Sequence, residues 1–350
     1  MPHIAFPNRL IGTPKRKMPR EGTLKEAPPF VAGASLLVAL LFLTGCHLFP
    51  KLDRVGNALM IQELKARLDA REAAGLLEPE NASVVFVHRH GTSFGNSLIL
   101  KGSDETGQPL SAQDMIAACL AMTNSRALPP VKRCLRQTYA SAEPLRYSHT
   151  GLAYKLPGRE WQVRQSLRAG DSGVHFQWYG TLDDFVDIAL VTPRIEVLIP
   201  TKEMQQNLAR VLLIDGAGSL LIDPDYNLVA GPFQTQEQMS NQFILEIVAA
   251  ALQDPSLPIS RANSQAYLAD SGYQPTILTL RGLRSLGKFD ALFSTLHYDQ
   301  QPYARRYETG EIITVTSVRA FLQDQGLIAD IFEVSSDGQG LIFLNEQGSS

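Results

Sequence analysis

Apolar residues first recur at roughly helical spacing through residues 56–75, where Leu59, Ile61, Leu64, Leu68 and Ala73 stand two to five positions apart. Val84-Val85-Phe86-Val87 is a short unbroken apolar run and predicts a strand. Residues 98–140 are polar and broken, with a helix predicted over Ala112–Met122 after Ser111. Gly151–Tyr154 and Trp161–Val163 predict a strand pair across the turn Leu156-Pro157-Gly158-Arg159. Asp183–Ile188 reads as a short helix and Ile195–Ile199 as a strand. Thr201 caps a helix to Leu213 with Met204, Leu208, Val211 and Leu212 on one face. Phe243, Ile244, Ile247, Val248, Ala251 and Leu252 form the most strongly periodic helix. Ser260 caps another, to about Ser271, before Gly272. Thr276–Leu280 and Ile312–Val315 read as strands, and Ser317–Gln325 as a helix. No internal repeat is present. Strands and helices come in separate runs, which is an α+β pattern.

A different pattern precedes all of this. Lys15, Arg16, Lys17, Arg20 and Lys25 lead into an apolar run from Phe30 to Leu43, which ends in Leu43-Thr44-Gly45-Cys46. Basic region, apolar core, small residues and cysteine resemble a bacterial lipoprotein signal, complete over the four lipobox positions. The resemblance implies a signal over residues 1–45, acylation of Cys46 and a lipid anchor. His47 after the cysteine implies sorting to the outer membrane, facing the periplasm. The alternative is a membrane-spanning anchor, but the run falls short of the ~20 residues that cross a ~30 Å hydrocarbon core. Met18 is a second candidate start.

Composition narrows the partners. The chain is 44% hydrophobic and 19% charged, both globular values. The leader carries six Lys/Arg and two Glu, so its removal takes the formal charge from −3 to −7. A mildly acidic chain with no basic stripe is not a nucleic-acid binder. With Cys46 lipidated, Cys119 and Cys134 remain as a pair in an exported chain. With Pro129-Pro130 between them, they suit two helical arms joined by a turn and stapled by a disulfide. Two free buried thiols are the alternative. No metal or cofactor is expected.

Two segments carry candidate chemistry. In Arg146-Tyr147-Ser148-His149-Thr150-Gly151, a histidine opens a half-buried strand after a polar turn, a place suited to a general base. The plain alternative is a hydrogen-bonded structural histidine. In Ser240-Asn241-Gln242-Phe243, a hydroxyl precedes the periodic helix. There the dipole and free N–H groups favour a nucleophile and an oxyanion. The plain alternative is a helix cap.

Together the segments resemble circularly permuted papain-like hydrolases of the NlpC and lecithin-retinol-acyltransferase-like kind, in which a histidine strand precedes the nucleophile helix. The resemblance implies His149 as the base, Gln165 as the polar third residue and Ser240 where the cysteine belongs. Tyr147 and Asn241 would line the same cleft. Serine in place of cysteine makes the chain either a serine variant or an inactive relative. A longer series is similar to the uncharacterised bacterial envelope family called domain of unknown function 2145. It comprises Val85-Phe86-Val87, RYSHTGLAY, LDDF at Leu182–Phe185, Val197–Pro200, Asn227–Phe233, SNQFILE, GYQPTIL at Gly272–Leu278, and Tyr307–Phe321 with its VTSV. In that family the position of Gln165 is often histidine, and the Cys119/Cys134 segment is not general.

A rival motif is Arg89-His90-Gly91-Thr92-Ser93-Phe94-Gly95-Asn96, which fits the RHG signature of histidine phosphatases. That fold needs a second histidine after α/β units, and His149 is the candidate. His88 and His90 as metal ligands lack a third ligand at suitable spacing. The expected organisation is a signal over 1–45, a tether over 46–55, a single papain-like α+β domain over 56–334 with an insertion at about 98–143, and a tail over 335–350. The expected function is a lipid-anchored envelope protein, either a papain-like hydrolase or acyltransferase or its inactive relative. The alternatives are a non-catalytic module that binds cell wall or envelope proteins, and a histidine phosphatase.

Overall fold

A computed structural model describes residues 54–78, 80–89, 97–168, 175–187, 194–213, 220–280, 298–336 and 341–342. They belong to one compact unit spanning Leu52–Ser350. Cys46, His90 and the rest of the RHG signature after Arg89 lie outside the described residues. No helix among the described residues is long and apolar enough to cross a membrane.

The fold is mixed α+β. Its main sheet contains β1 (Ser83–Arg89), β3 (His149–Lys155), β4 (Gln162–Arg168), β5 (His175–Thr181), β6 (Arg194–Pro200), β9 (Ile328–Ser336) and β10 (Leu341–Ile342). The order is β10-β9-β6-β1-β3-β4-β5, and every neighbouring pair is antiparallel. A smaller antiparallel sheet, order β2-β7-β8, joins β2 (Ile99–Leu100), β7 (Thr276–Thr279) and β8 (Thr309–Ile312).

Helices cover both faces of the main sheet. On one side are α1 (Arg54–Ala73) and α4 (Leu182–Asp187), whose Met60, Leu64, Leu68, Leu182 and Phe185 pack on Val85, Val87, Ala153, Val163 and Val197. On the other are α5 (Lys202–Leu213), α6 (Ser240–Leu252), α7 (Arg261–Asp270) and α9 (Val315–Asp324). Their Met204, Leu208, Phe243, Leu268 and Val318 pack on Val84, Phe86, Leu152 and Leu198. Successive strand residues point to opposite faces, so the strands supply side chains alternately to the two cores. Both faces are covered, which explains why Val84–Val87 reads as an unbroken apolar run.

The inserted segment forms α2 (Ala112–Thr123) and α3 (Leu128–Tyr139). Ser111 caps α2 by accepting from Asp114 N–H at 3.2 Å, while the Asp114 carboxylate accepts from Ser111 N–H. A third core joins these helices to the small sheet through Met115, Cys119, Val131, Leu135, Leu100 and Ile277. Cys119 and Cys134 are disulfide-bonded, with Cα atoms 5.7 Å apart. Closing a loop of sequence separation 15 contributes about 3 kcal/mol by chain entropy. Reduction, or Cys119→Ser with Cys134→Ser, should lower unfolding free energy by about that amount in a urea titration. Full alkylation of both thiols without reductant would refute the bond.

Several elements depart from the sequence expectation. Leu59 is 45% exposed, and Met60 takes the inward position. Val315 begins α9 instead of ending a strand, because Thr314 caps that helix by accepting from Ser317 N–H at 3.1 Å. Strands β5 and β9 and the short helix α8 (Pro302–Tyr307) are additional elements, and β10 falls in the segment expected to be a tail.

Candidate functional site

His149, Gln165 and Arg89 converge at one end of the main sheet. Arg89 and His149 are direct cross-strand partners in the β1–β3 register. His149 Nε2 is hydrogen-bonded to Gln165 Oε1, and Arg89 Nη2 donates to the same oxygen at 3.5 Å. The Arg89 guanidinium lies 4.8 Å from the Phe185 ring centroid, and the His149 ring stacks on the same phenylalanine at 6.1 Å. All three polar residues are buried. Burial pushes the Arg89 guanidinium down to about 10, so it stays charged at neutral pH. Gln165 Nε2 is buried with no hydrogen-bond partner among the described residues.

The glycine of the SHTG segment has a packing reason. A Cβ on Gly151 would meet Val163 Cγ1 at 2.8 Å and Phe185 Cε2 at 2.9 Å. Its absence lets Phe185 lie against the strand, where it carries both Arg89 and His149.

Ser240 and Asn241 reach the same end of the sheet from the opposite face. The parity of the strands decides this. His149, Gly151 and Ala153 point to the α1/α4 side, while Thr150 and Leu152 point to the α6 side. On β4, Val163 and Gln165 share the α1/α4 side, and Ser166 Oγ donates to the backbone oxygen of Ser240 at 3.4 Å across the other. Ser240 is the first residue of α6, and Met239 occupies the N-cap position. The reading of Ser240 as a side-chain cap is corrected accordingly. The pleat sets His149 and Gln165 on one face and the helix bearing Ser240 on the other.

Asn241 is not a cleft residue. It is fully buried, and its side chain serves three backbones. Its Oδ1 accepts from Thr150 N–H at 3.1 Å, and its Nδ2 donates to Ser148 O at 3.2 Å and Ile313 O at 3.3 Å. That set ties the start of α6 to β3 and to the segment before α9. Tyr147 also stands apart from His149. Its hydroxyl donates to Glu333, and its ring lies 6.1 Å from that of His88. Burial and the Glu333 bond hold that phenol well above its ordinary range.

Tyr147 belongs instead to a charged cluster on the α6 side. His88 is fully buried, and its Nδ1 is 3.0 Å from Glu196 Oε2. Arg319 of α9 donates to Glu196 Oε1 at 2.6 Å. Burial raises the Glu196 carboxyl, but the His88 bond and the charges of His88, Arg319 and Arg146 outweigh it and hold it below the usual carboxylate range. The structure thus gives His88 a carboxylate partner from the neighbouring strand β6, 108 positions away in sequence. No group of three or more candidate metal ligands occurs among the described residues. The sequence carried one overlooked signal for this cluster, since Glu196 interrupts an otherwise apolar strand, Ile195–Ile199. A charge there needs partners.

The phosphatase signature fares differently from its neighbours. Arg89 does lie beside His149, but β1 and β3 are antiparallel, and the described residues between them form β2 and the inserted helices α2 and α3, not the α/β units that signature expects.

Comparisons with known proteins agree with the motif series from RYSHTGLAY to VTSV, while Val85–Val87 lies outside the matched residues. Curated proteins and solved structures gave no match. The profile of a family described as an uncharacterized protein conserved in bacteria (DUF2145) matches residues 135–322. The match begins after both disulfide cysteines and includes His149, Gln165, Glu196, Ser240, Asn241, Arg261 and Arg319. It covers more than half of the sequence, and the chain belongs to this bacterial family.

Proposed function

We propose that this protein is a lipid-tethered, non-catalytic binding module of the bacterial envelope. The observation that carries the reading is the placement of His149 and Ser240 on opposite faces of the main sheet. A base must come within about 3 Å of the proton it removes, directly or through one water. Strand residues whose side chains leave the sheet on the face away from the helix work against that approach. The convergent polar groups have packing duties as well: His149 and Arg89 cover Phe185, and Asn241 joins three backbones.

One observation favours the papain-like hydrolase. Gln165 Oε1 on His149 Nε2 selects the tautomer protonated at Nε2, which is how a polar third residue prepares a histidine base. Purified protein, Ser240→Cys and Ser240→Cys/His149→Ala would be assayed with amide, ester and thioester probes. The binding reading expects no turnover from any of them. Turnover by Ser240→Cys that disappears in the double variant would sink it and restore the papain-like alternative.

The tether rests on the lipobox ending at Cys46. Cys46→Ala should abolish incorporation of labelled palmitate and leave an unprocessed or soluble form. A processed, membrane-bound product of that variant would refute lipid attachment. Density fractionation should place the wild type with the outer membrane.

A further inference from the structure

Positive charge without a counter-charge gathers where the inserted helices meet α8. Residues 124–140 carry Arg126, Lys132, Arg133 and Arg136 and no acidic residue. Among the described residues, Lys132 pairs with Glu308 at 3.0 Å, while Arg126, Arg133, Arg136 and Arg306 of α8 make no ion pair. A cavity of about 610 Å³ opens between the α2–α3 turn and α8. Its lining is Leu120, Asn124, Ser125, Arg126, Arg306 and Tyr307, with two cations and no carboxylate among the described residues. The carboxylates of the surrounding elements are engaged or belong elsewhere. Glu308 holds Lys132 across a small cavity that also touches Tyr307. Glu311 and Asp114 sit at the opposite end of α2, where Glu311 accepts from Ala112 N–H at 3.0 Å and Asp114 closes the Ser111 cap. The rise of α2 puts about 18 Å between that end and Asn124. Exposed Asp299 lines neither cavity.

The walls of this pocket are fixed in advance. Asn124 ends α2 in the left-handed region at φ 43°, and its N–H donates to Ala121 O at 3.2 Å. Ser125 Oγ accepts from Ala127 N–H at 3.1 Å, which leaves its hydroxyl hydrogen for another acceptor. Cys119, beside Leu120, is bonded to Cys134 of α3, so the two helices carry the turn as one piece. The Arg306 guanidinium lies 5.4 Å from the Tyr307 ring centroid, a contact with the ring that leaves its N–H groups for a ligand. The first turn of α3, which follows the pocket, has no acidic side chain and no side-chain cap, so its dipole adds positive potential there.

We infer that this pocket binds a phosphate monoester, held by Arg126 and Arg306 with Asn124, Ser125 and Tyr307 as further donors. Two guanidinium groups without a carboxylate match a group of charge about −2. Its three terminal oxygens engage both planar forks and the neutral donors, whereas a carboxylate offers two oxygens and one charge. The volume leaves room for the group that carries the phosphate, against Leu120 and Tyr307. The pocket shares no lining residue with the His149 end of the main sheet. It names a ligand for the binding-module reading and does not depend on it. Residues 120–126 precede the family match at 135–322, while Arg306 and Tyr307 lie within it, so the pocket belongs to chains that carry the insertion.

The test uses the full-length, processed protein in nonionic detergent, with phosphorus NMR titrations of inorganic phosphate, glucose 6-phosphate and dimethyl phosphate. The first two should bind. Dimethyl phosphate has one charge and two blocked oxygens, and should bind roughly tenfold more weakly. Arg126→Ala and Arg306→Ala, both at exposed positions, should each weaken glucose 6-phosphate binding roughly tenfold with unchanged thermal unfolding. Short-chain phosphatidate mixed into the micelles decides the source. Displacement of glucose 6-phosphate by less phosphatidate than inorganic phosphate makes the group lipid-borne, and the reverse order makes it soluble.

Equal binding of dimethyl phosphate, or indifference to both arginine variants, would overturn the inference. So would an equal loss from Arg159→Ala, which removes an exposed arginine from the β3–β4 turn and leaves the pocket intact. Release of inorganic phosphate from glucose 6-phosphate would sink the non-catalytic reading. Loss of binding in the two arginine variants would still uphold the pocket in that case.

Discussion

Replacing Arg261 by methionine should cost about 3–5 kcal/mol of stability at pH 8 and clearly less at pH 5. Arg261 of α7 reaches into the base of α6 and the loop before it. Its Nε donates to Glu246 Oε2 at 2.9 Å and its Nη2 to Glu246 Oε1 at 3.2 Å. Its Nη1 donates to Asp223 Oδ2 at 2.7 Å and to Thr235 O at 2.6 Å. Nη2 also serves the carbonyls of Gln234 and Glu237. Gln238 and Gln265 complete the shell around Glu246, which is fully buried. Burial drives the Glu246 carboxyl up to about 7, against the Arg261 charge and the bonds from Arg261, Gln265 and Gln238. Removing Arg261 strands that carboxylate wherever it is ionised and takes a donor from the carbonyls of Thr235 and Glu237, while Gln234 O keeps Gln242 and Gln265.

The pH dependence has a definite sign. Glu246 is raised in the folded state from about 4.5 to about 7. Its contribution is therefore fully present below the unfolded value and is lost as pH rises through about 7. The size is about 3 kcal/mol. Glu246→Gln should flatten stability between those two pH values relative to wild type. Urea unfolding at pH 5 and pH 8, followed by the fluorescence of Trp161 and Trp178, checks both variants. An equal loss for Arg261→Met at the two pH values would show that Arg261 acts through the backbone carbonyls and not through Glu246.

Asn241→Leu is the second large effect, with an expected loss of about 3 kcal/mol. The substitution leaves the Thr150 N–H, the Ser148 carbonyl and the Ile313 carbonyl without their side-chain partner in a buried place. Each such orphan costs about 1–3 kcal/mol, and relaxation recovers part of the sum. The amide of Thr150 should lose protection in hydrogen exchange, because its bond joins α6 to β3. Ser240→Ala should stay within about 0.5 kcal/mol, since Met239 and not Ser240 holds the cap position. If Ser240→Ala proved as damaging as Asn241→Leu, the hydroxyl would have a structural duty that the backbone contact with Ser166 does not describe.

These two residues show where reading from sequence reaches its limit. SNQFILE marked the start of α6 because apolar periodicity after a polar cluster reports a helix and its beginning. It drew attention to Ser240, an end-of-helix hydroxyl, and passed over Glu246 as one charge on a helix. Burial alone turns Glu246 into the centre of a network, and burial depends on α7 and on the 223–239 loop folding over it. Asn241 was visible as a polar residue near a candidate nucleophile. Its partners lie on β3 and before α9, 91 and 72 positions away, so its role was not written locally.

The sequence by itself determined the element types and most of their positions. Periods of about 3.6 and 2 residues follow from backbone geometry and survive in any tertiary setting. It located α2 and its Ser111 cap, α7 after Ser260, and the β3–β4 turn around Pro157-Gly158. It paired Cys119 with Cys134 by count. Only the tertiary structure decided which face each strand residue takes. A strand buried on both sides shows no alternation of apolar and polar residues, so Val84–Val87 gives no sign that His88 and Arg89 go to opposite cores. That parity separates His149 from Ser240, gives His88 to Glu196, and brings Arg89 beside His149 over Phe185.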